Sequence, residues 1–183
     1  MRVLRFSVLG FIAVFAAAQL APAQQFGNPN NLAPYVPSPQ IVVDKMLEMA
    51  HLKPGELVYD LGCGDGRIVI TAAQKFKARA VGVELSLDIY KSTLARVKRL
   101  GLEDKVKILN QDLRRVDLRP ADVVTLYLLT GSNELLKPNL GKLKAGARVV
   151  SHDFEIRGWN AAQVDTIEVD GVSRTIYVYE MKK

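Results

Sequence analysis

Residues 57–67, LVYDLGCGDGR, restrict the possible folds of this chain more than any other stretch. Residues 57–61 are an apolar run carrying one acid and predict a short buried strand. Gly62, Gly64 and Gly66 alternate after it, and residues 68–73 (IVITAA) open a helix. Glycine admits positive φ and the close approach of a ligand, while unpaired N–H groups at a helix start face such a turn. Strand, glycine turn and helix N-terminus in this order make a binding site for a nucleotide-like ligand. The spacing narrows the choice. A dinucleotide fingerprint requires a third glycine where Arg67 stands, and the Gly-Lys-Ser/Thr of a phosphate loop is absent. The alternative is a structural glycine turn without a ligand.

The flanking sequence predicts an open α/β sheet. Ser38 and Pro39 offer a cap and a first turn for a helix whose core face is Val42, Val43, Met46, Leu47 and Ala50. His51, at its end, reads as a surface histidine. Residues 80–84 (AVGVE) form a second strand ending in Glu84, 18 residues after Gly66, roughly where nucleotide-binding folds place a carboxylate for ribose hydroxyls. Ser86 caps the next helix and Gly101 ends it. Residues 106–109 form a third strand, followed by Asp112. Residues 121–129 (ADVVTLYLL) are apolar enough for a central parallel strand. The helical pattern over 132–143 is interrupted by Pro138, which predicts a kink or two short helices. Residues 148–152 make the fifth strand. Two alternating runs, 164–169 and 174–179, flank Asp170-Gly171 as in a hairpin. These are five parallel strands with helices on both faces, closed by a C-terminal antiparallel hairpin.

Of 183 residues, 49% are hydrophobic, enough for the core of one domain. The first 23 stand apart. Arg2 and Arg5 precede an uncharged apolar run over 8–20, and Ala21-Pro22-Ala23 fits a small-residue cleavage site. This is the plan of a signal peptide leading to the cell envelope or beyond, or of a membrane anchor if uncleaved. A buried helix of the fold is the alternative. Losing Arg2 and Arg5 would take the formal charge from +6 to +4. No basic run with interleaved aromatics points to nucleic acid. Residues 24–37, rich in Gln, Asn and Pro, read as a linker, so the folded domain is expected over 38–183. Cys63 is the single cysteine and reads as a small residue in the turn. Neither histidine has metal-ligand company, so no metal is implied.

The form D-x-G-x-G-x-G, with Asp60 two residues before Gly62, resembles motif I of the class I S-adenosylmethionine (SAM) methyltransferases. An acid suits a ligand bearing an ammonium and a sulfonium better than one bearing phosphates. Residues 34–38 (PYVPS), 58–70, 125–129 (TLYLL) and 145–154 (AGARVVSHDF) occur in one order. Together they resemble the small methyltransferase family that includes the lysine methyltransferases of ATP synthase c-subunit and adenine nucleotide translocase. The likeness extends more distantly to the histone lysine methyltransferases that lack a SET domain. It covers about residues 34–159. The histone enzymes carry Asn-Asn-Phe where this chain has Thr125-Leu126-Tyr127, and long basic segments that are missing here, which argues against chromatin.

The resemblance implies a Rossmann-like fold and SAM as cofactor. Asp60, Gly62, Gly64, Asp65 and Gly66 would then contact it. Glu84 would hold the ribose, Asp112 the adenine amino group, and the segment around Tyr35 would close over the methionine end. It also implies a protein partner with an accessible lysine. A lysine acceptor must lose its proton, which an apolar pocket favours. Tyr127, Thr125 and His152 are the candidates to orient it, with Asp153 and Phe154 beside them. Tyr127 also reads as a core aromatic, and His152-Asp153 as a loop cap. Three functions follow: a protein-lysine N-methyltransferase, a small-molecule or RNA methyltransferase, or an exported module that binds without catalysis. No Asn/Asp-Pro-Pro-Tyr motif on the fourth strand favours amide or adenine-amine acceptors.

Overall fold

A computed structural model describes residues 32–182. The expected signal segment, and most of the expected linker, lie outside the described residues. Seven strands form one sheet: β1 (Leu57–Leu61), β2 (Arg79–Glu84), β3 (Val106–Asn110), β4 (Val123–Leu126), β5 (Arg148–His152), β6 (Gln163–Val169) and β7 (Val172–Glu180). Their order across the sheet is β3-β2-β1-β4-β5-β7-β6. The first five run parallel, and β7 pairs antiparallel with both β5 and β6. Asp170 and Gly171, at φ 52° and 74°, make the tight turn of the hairpin.

The helices α1 (Gln40–Met49), α2 (Arg67–Gln74) and α3 (Leu87–Arg99) cover one face. Val43, Met46, Leu47, Val69, Ala72 and Val97 pack there on Val58, Ala80 and Val150. On the other face α4 (Thr130–Leu140) and the segment 113–118 lay Leu136, Leu140 and Leu118 over Leu61, Val83 and Leu126. Strands buried on both sides must be apolar throughout, which is why β1 and β4 read as continuous runs.

Three expectations change. The fourth strand is four residues long, because the chain leaves the sheet after Leu126 and Leu129 already precedes the first turn of α4. Pro138 does not split α4. It falls in the last turn, where only the bond its missing N–H would have made is lost, and Gly141 N–H still bonds Lys137 O at 2.8 Å. Ser38 does not cap α1, because its hydroxyl is bonded to His152 Nδ1 at 2.9 Å.

Candidate active site

β1 lies between β2 and β4, the point at which the strand order reverses, and the crevice of an open α/β sheet opens there beyond the strand ends. Here it is a cleft of ≈ 410 Å³. Asp60, Glu84, the glycine turn and Tyr127 line it, and residues 32–38 run across it as a strap. Residues 32–37 were expected to end a linker, although the segment around Tyr35 was also expected to close over the methionine end of the cofactor. Ser132 Oγ bonds Leu32 O, Arg67 Nη1 bonds Ser38 O at 2.6 Å, and the Tyr35 ring lies on the glycine turn.

The glycine turn has the geometry its spacing demands. Gly62, Gly64 and Gly66 have φ of 84°, 51° and 77°. A Cβ on Gly64 would stand 2.6 Å from the Tyr35 ring, so only glycine lets strap and turn meet. The turn is held from several sides. Gly64 N–H donates to Glu84 Oε2 at 3.1 Å, and the buried Thr93 hydroxyl donates to Gly64 O at 2.6 Å. Glu84 Oε1 accepts from Ser86 N–H at 2.8 Å. A carboxylate has about four acceptor positions, so both oxygens keep capacity for two hydroxyls.

Asp65 does not stand open to the cleft as a lone acid. It is bridged by Arg67 Nη2 at 2.9 Å and Arg96 Nη1 at 3.0 Å. Burial opposes its charge, but the Arg67 and Arg96 guanidiniums outweigh it and hold the carboxyl below its ordinary range. The arginines were not anticipated. Arg67 stands where a dinucleotide fingerprint would have its third glycine, and that was the available signal.

Asp60 is 3% exposed, and its carboxylate accepts from Thr125 Oγ1 at 2.7 Å. Burial, with the charges of Glu84 and Asp65, pushes its pKa up to about 7 although the Thr125 bond opposes this. A buried carboxylate facing a cleft, with acids rather than cations around it, is a site for a cationic ligand group.

The three acceptor-side candidates separate. Tyr127 lines the cleft. Thr125 is fully buried within β4 and its hydroxyl is engaged with Asp60, so it presents nothing to an acceptor. His152 is also fully buried, behind Tyr127, whose ring stacks on it at 3.9 Å between centroids. Burial is the main influence depressing the His152 pKa to about 4, which keeps the ring neutral. Asp153 bonds Arg174 Nη1 at 2.8 Å and Thr175 N–H at 3.0 Å, closing the end of β5 onto β7. Asp112 caps the turn 113–115 and is paired with Arg114 at 2.6 Å, on the rim after β3; Leu113 rather than Asp112 faces the cleft. Among the described residues no group of three His, Cys, Asp or Glu side chains could hold a metal ion.

The model of the ANTKMT methyltransferase domain matches residues 60–163. The chain belongs to the ANTKMT methyltransferase family. This methyltransferase is 49% identical over 148 residues to a protein-lysine N-methyltransferase of Saccharolobus islandicus, covering 80% of its own length and 92% of that protein. It is 35% identical over 132 residues to the mouse adenine nucleotide translocase lysine N-methyltransferase, covering 57% of that larger protein. The crystal structure of an RNA methyltransferase from Salinibacter ruber, bound to S-adenosyl-L-homocysteine, superposes with a TM-score of 0.75 at 42% identity, covering 81% of this chain and 95% of that one. The methyltransferase uses SAM. The cleft can fit it, with a buried acid available for the ammonium, Glu84 at the end of β2 available for the ribose, and the backbone of the glycine turn between them.

Proposed function

We propose that this methyltransferase transfers the methyl group to a lysine side chain of a protein. The observation that carries the reading is the 49% identity running over 92% of the archaeal protein-lysine N-methyltransferase. The chemistry of the cleft supports it. When bound, SAM supplies a methyl group on a sulfonium, and the protein's task is to align a nucleophile and keep it uncharged. Tyr127 supplies a flat aromatic wall, backed by the neutral His152, that can receive a lysine side chain and attracts its ammonium; desolvation of the amine on entering the cleft is what favours its free form. Asp60 anchors the cofactor's ammonium, and Glu84 carries the ribose hydroxyls. The Tyr127 hydroxyl, 3.4 Å from Arg174 Nη1, is on this reading the group that orients the acceptor amine.

The description of the Salinibacter structure as an RNA methyltransferase favours a second reading, an RNA acceptor. Incubation with methyl-labelled SAM and separate protein and RNA fractions of the native host separates the two. Label that is lost to protease and survives ribonuclease supports lysine; the reverse overturns it. We further propose that residues 1–23 direct export, on the charged start and the apolar run over 8–20. Mass spectrometry of the native protein should then find an N-terminus at Gln24, and an intact Met1 in a soluble cytosolic protein would refute export.

A further inference from the structure

Thr125 is a polar residue at a fully buried position of a central strand whose other members are Val123, Val124 and Leu126. Valine has the same shape, and a buried hydroxyl is costly unless bonded. Here it is bonded. Thr125 is the register partner of Asp60 across β1 and β4, and its Oγ1 lies 2.7 Å from Asp60 Oδ1, against 3.4 Å from the Tyr59 carbonyl. The hydroxyl has one proton, and the shorter contact gives it to the carboxylate.

We propose that Thr125 is a positioning residue for cofactor binding: its hydroxyl fixes the Asp60 carboxylate in the ionised, cleft-facing form that receives the cationic methionine end of SAM. The proposal rests on the assignment of the cleft to SAM and not on the identity of the acceptor. The groups facing Asp60 leave this task to Thr125. Glu84 from β2 and Asp65 from the turn both act against its charge, and Cys63 is a buried thiol pushed well up its own scale, chiefly by burial. A hydrogen bond to the charged form of an acid favours that form. The Tyr59 carbonyl gives the hydroxyl a second place to point when Asp60 is protonated.

The test compares Thr125→Val with Thr125→Ser by calorimetric titration with SAM, and by carboxyl-carbon NMR of Asp60 in the ligand-free protein. Thr125→Val should weaken SAM binding by about tenfold or more near neutral pH and move the Asp60 titration to higher pH, because a hydrogen bond to a charged group is lost. Thr125→Ser should keep both properties close to wild type. In an Asp60→Asn background, Thr125→Val should add almost nothing to the loss of affinity. Thr125→Val that binds SAM and titrates like wild type overturns the proposal. So does an equal loss of affinity in both variants accompanied by lower melting temperatures, which would make Thr125 a packing residue. A wild-type chain that fails to bind SAM would instead remove the cofactor assignment itself, so the two failures are distinguishable.

Discussion

Asp60 and His152 are buried titratable groups whose shifts have opposite consequences for stability. The Asp60 pKa is raised from 3.8 to about 7, chiefly by burial, so the folded chain holds a proton that the unfolded chain gives up. Its contribution to the stability of the ligand-free protein therefore falls as pH rises between those values and is constant above them. The His152 pKa is lowered from 6.5 to about 4, also chiefly by burial, so its contribution is complete above 6.5 and is lost as pH falls toward 4. Asp60→Asn removes the first effect alone. It should melt higher than wild type near pH 7.5 and lose most of that advantage near pH 5, readable by calorimetric scans at both. The same substitution should weaken SAM binding at least about tenfold, since a buried charge partner is gone. Wild-type affinity should fall from about pH 7 downward as Asp60 takes a proton. It should fall again above about pH 8 as the ligand's amine loses one. Glu84 holds the glycine turn and, on the proposed reading, the cofactor's ribose. Its oxygens hold Gly64 N–H and Ser86 N–H, so Glu84→Ala should cost about 1–3 kcal/mol of stability besides weakening SAM binding about tenfold. Chemical denaturation with calorimetric titration checks both.

At the scale of elements, the strap and the short β4 shape the cleft. Ser38 joins its two sides: its carbonyl accepts from Arg67 beside the glycine turn, and its hydroxyl is bonded to His152 beneath Tyr127. That second contact spans 114 positions of sequence, which is why a local pattern of Gln, Asn and Pro suggested a linker and a helix cap instead. The glycine turn and its flanking strand and helix were legible because each is a local requirement of backbone geometry. The role of Thr125 was not, because an apolar run shows neither where a strand ends nor which neighbour it faces. With β4 ending at Leu126, Tyr127 is free to turn its ring onto His152. Tyr127→Phe keeps that stack and removes only the hydroxyl, whose partners are Arg174 Nη1 at 3.4 Å and the Asp153 carboxylate. Its melting temperature and SAM affinity should match wild type, while turnover should fall about tenfold, or about 1.4 kcal/mol of transition-state stabilisation. Tyr127→Ala should melt lower as well, since it opens a cavity over His152. Full activity in Tyr127→Phe would make the residue a packing aromatic.

For the whole molecule, alternation of strands and helices determined the parallel sheet, and the Asp170-Gly171 turn its antiparallel closure. Both follow from repeating patterns that a sequence displays directly. The acceptor is a different matter, because an aromatic wall accommodates several nucleophiles and only the likeness to lysine methyltransferases selects among them. No described helix is long and apolar enough to cross a membrane. The most direct measurement is recovery of the transferred methyl group as an amino acid. The full chain is incubated with methyl-labelled SAM and proteins of its native host, and the products are hydrolysed and separated. The structure and its relatives predict label in methylated lysine, greatly reduced with Asp60→Asn. Label absent from lysine but present on RNA or on a small molecule would contradict that account.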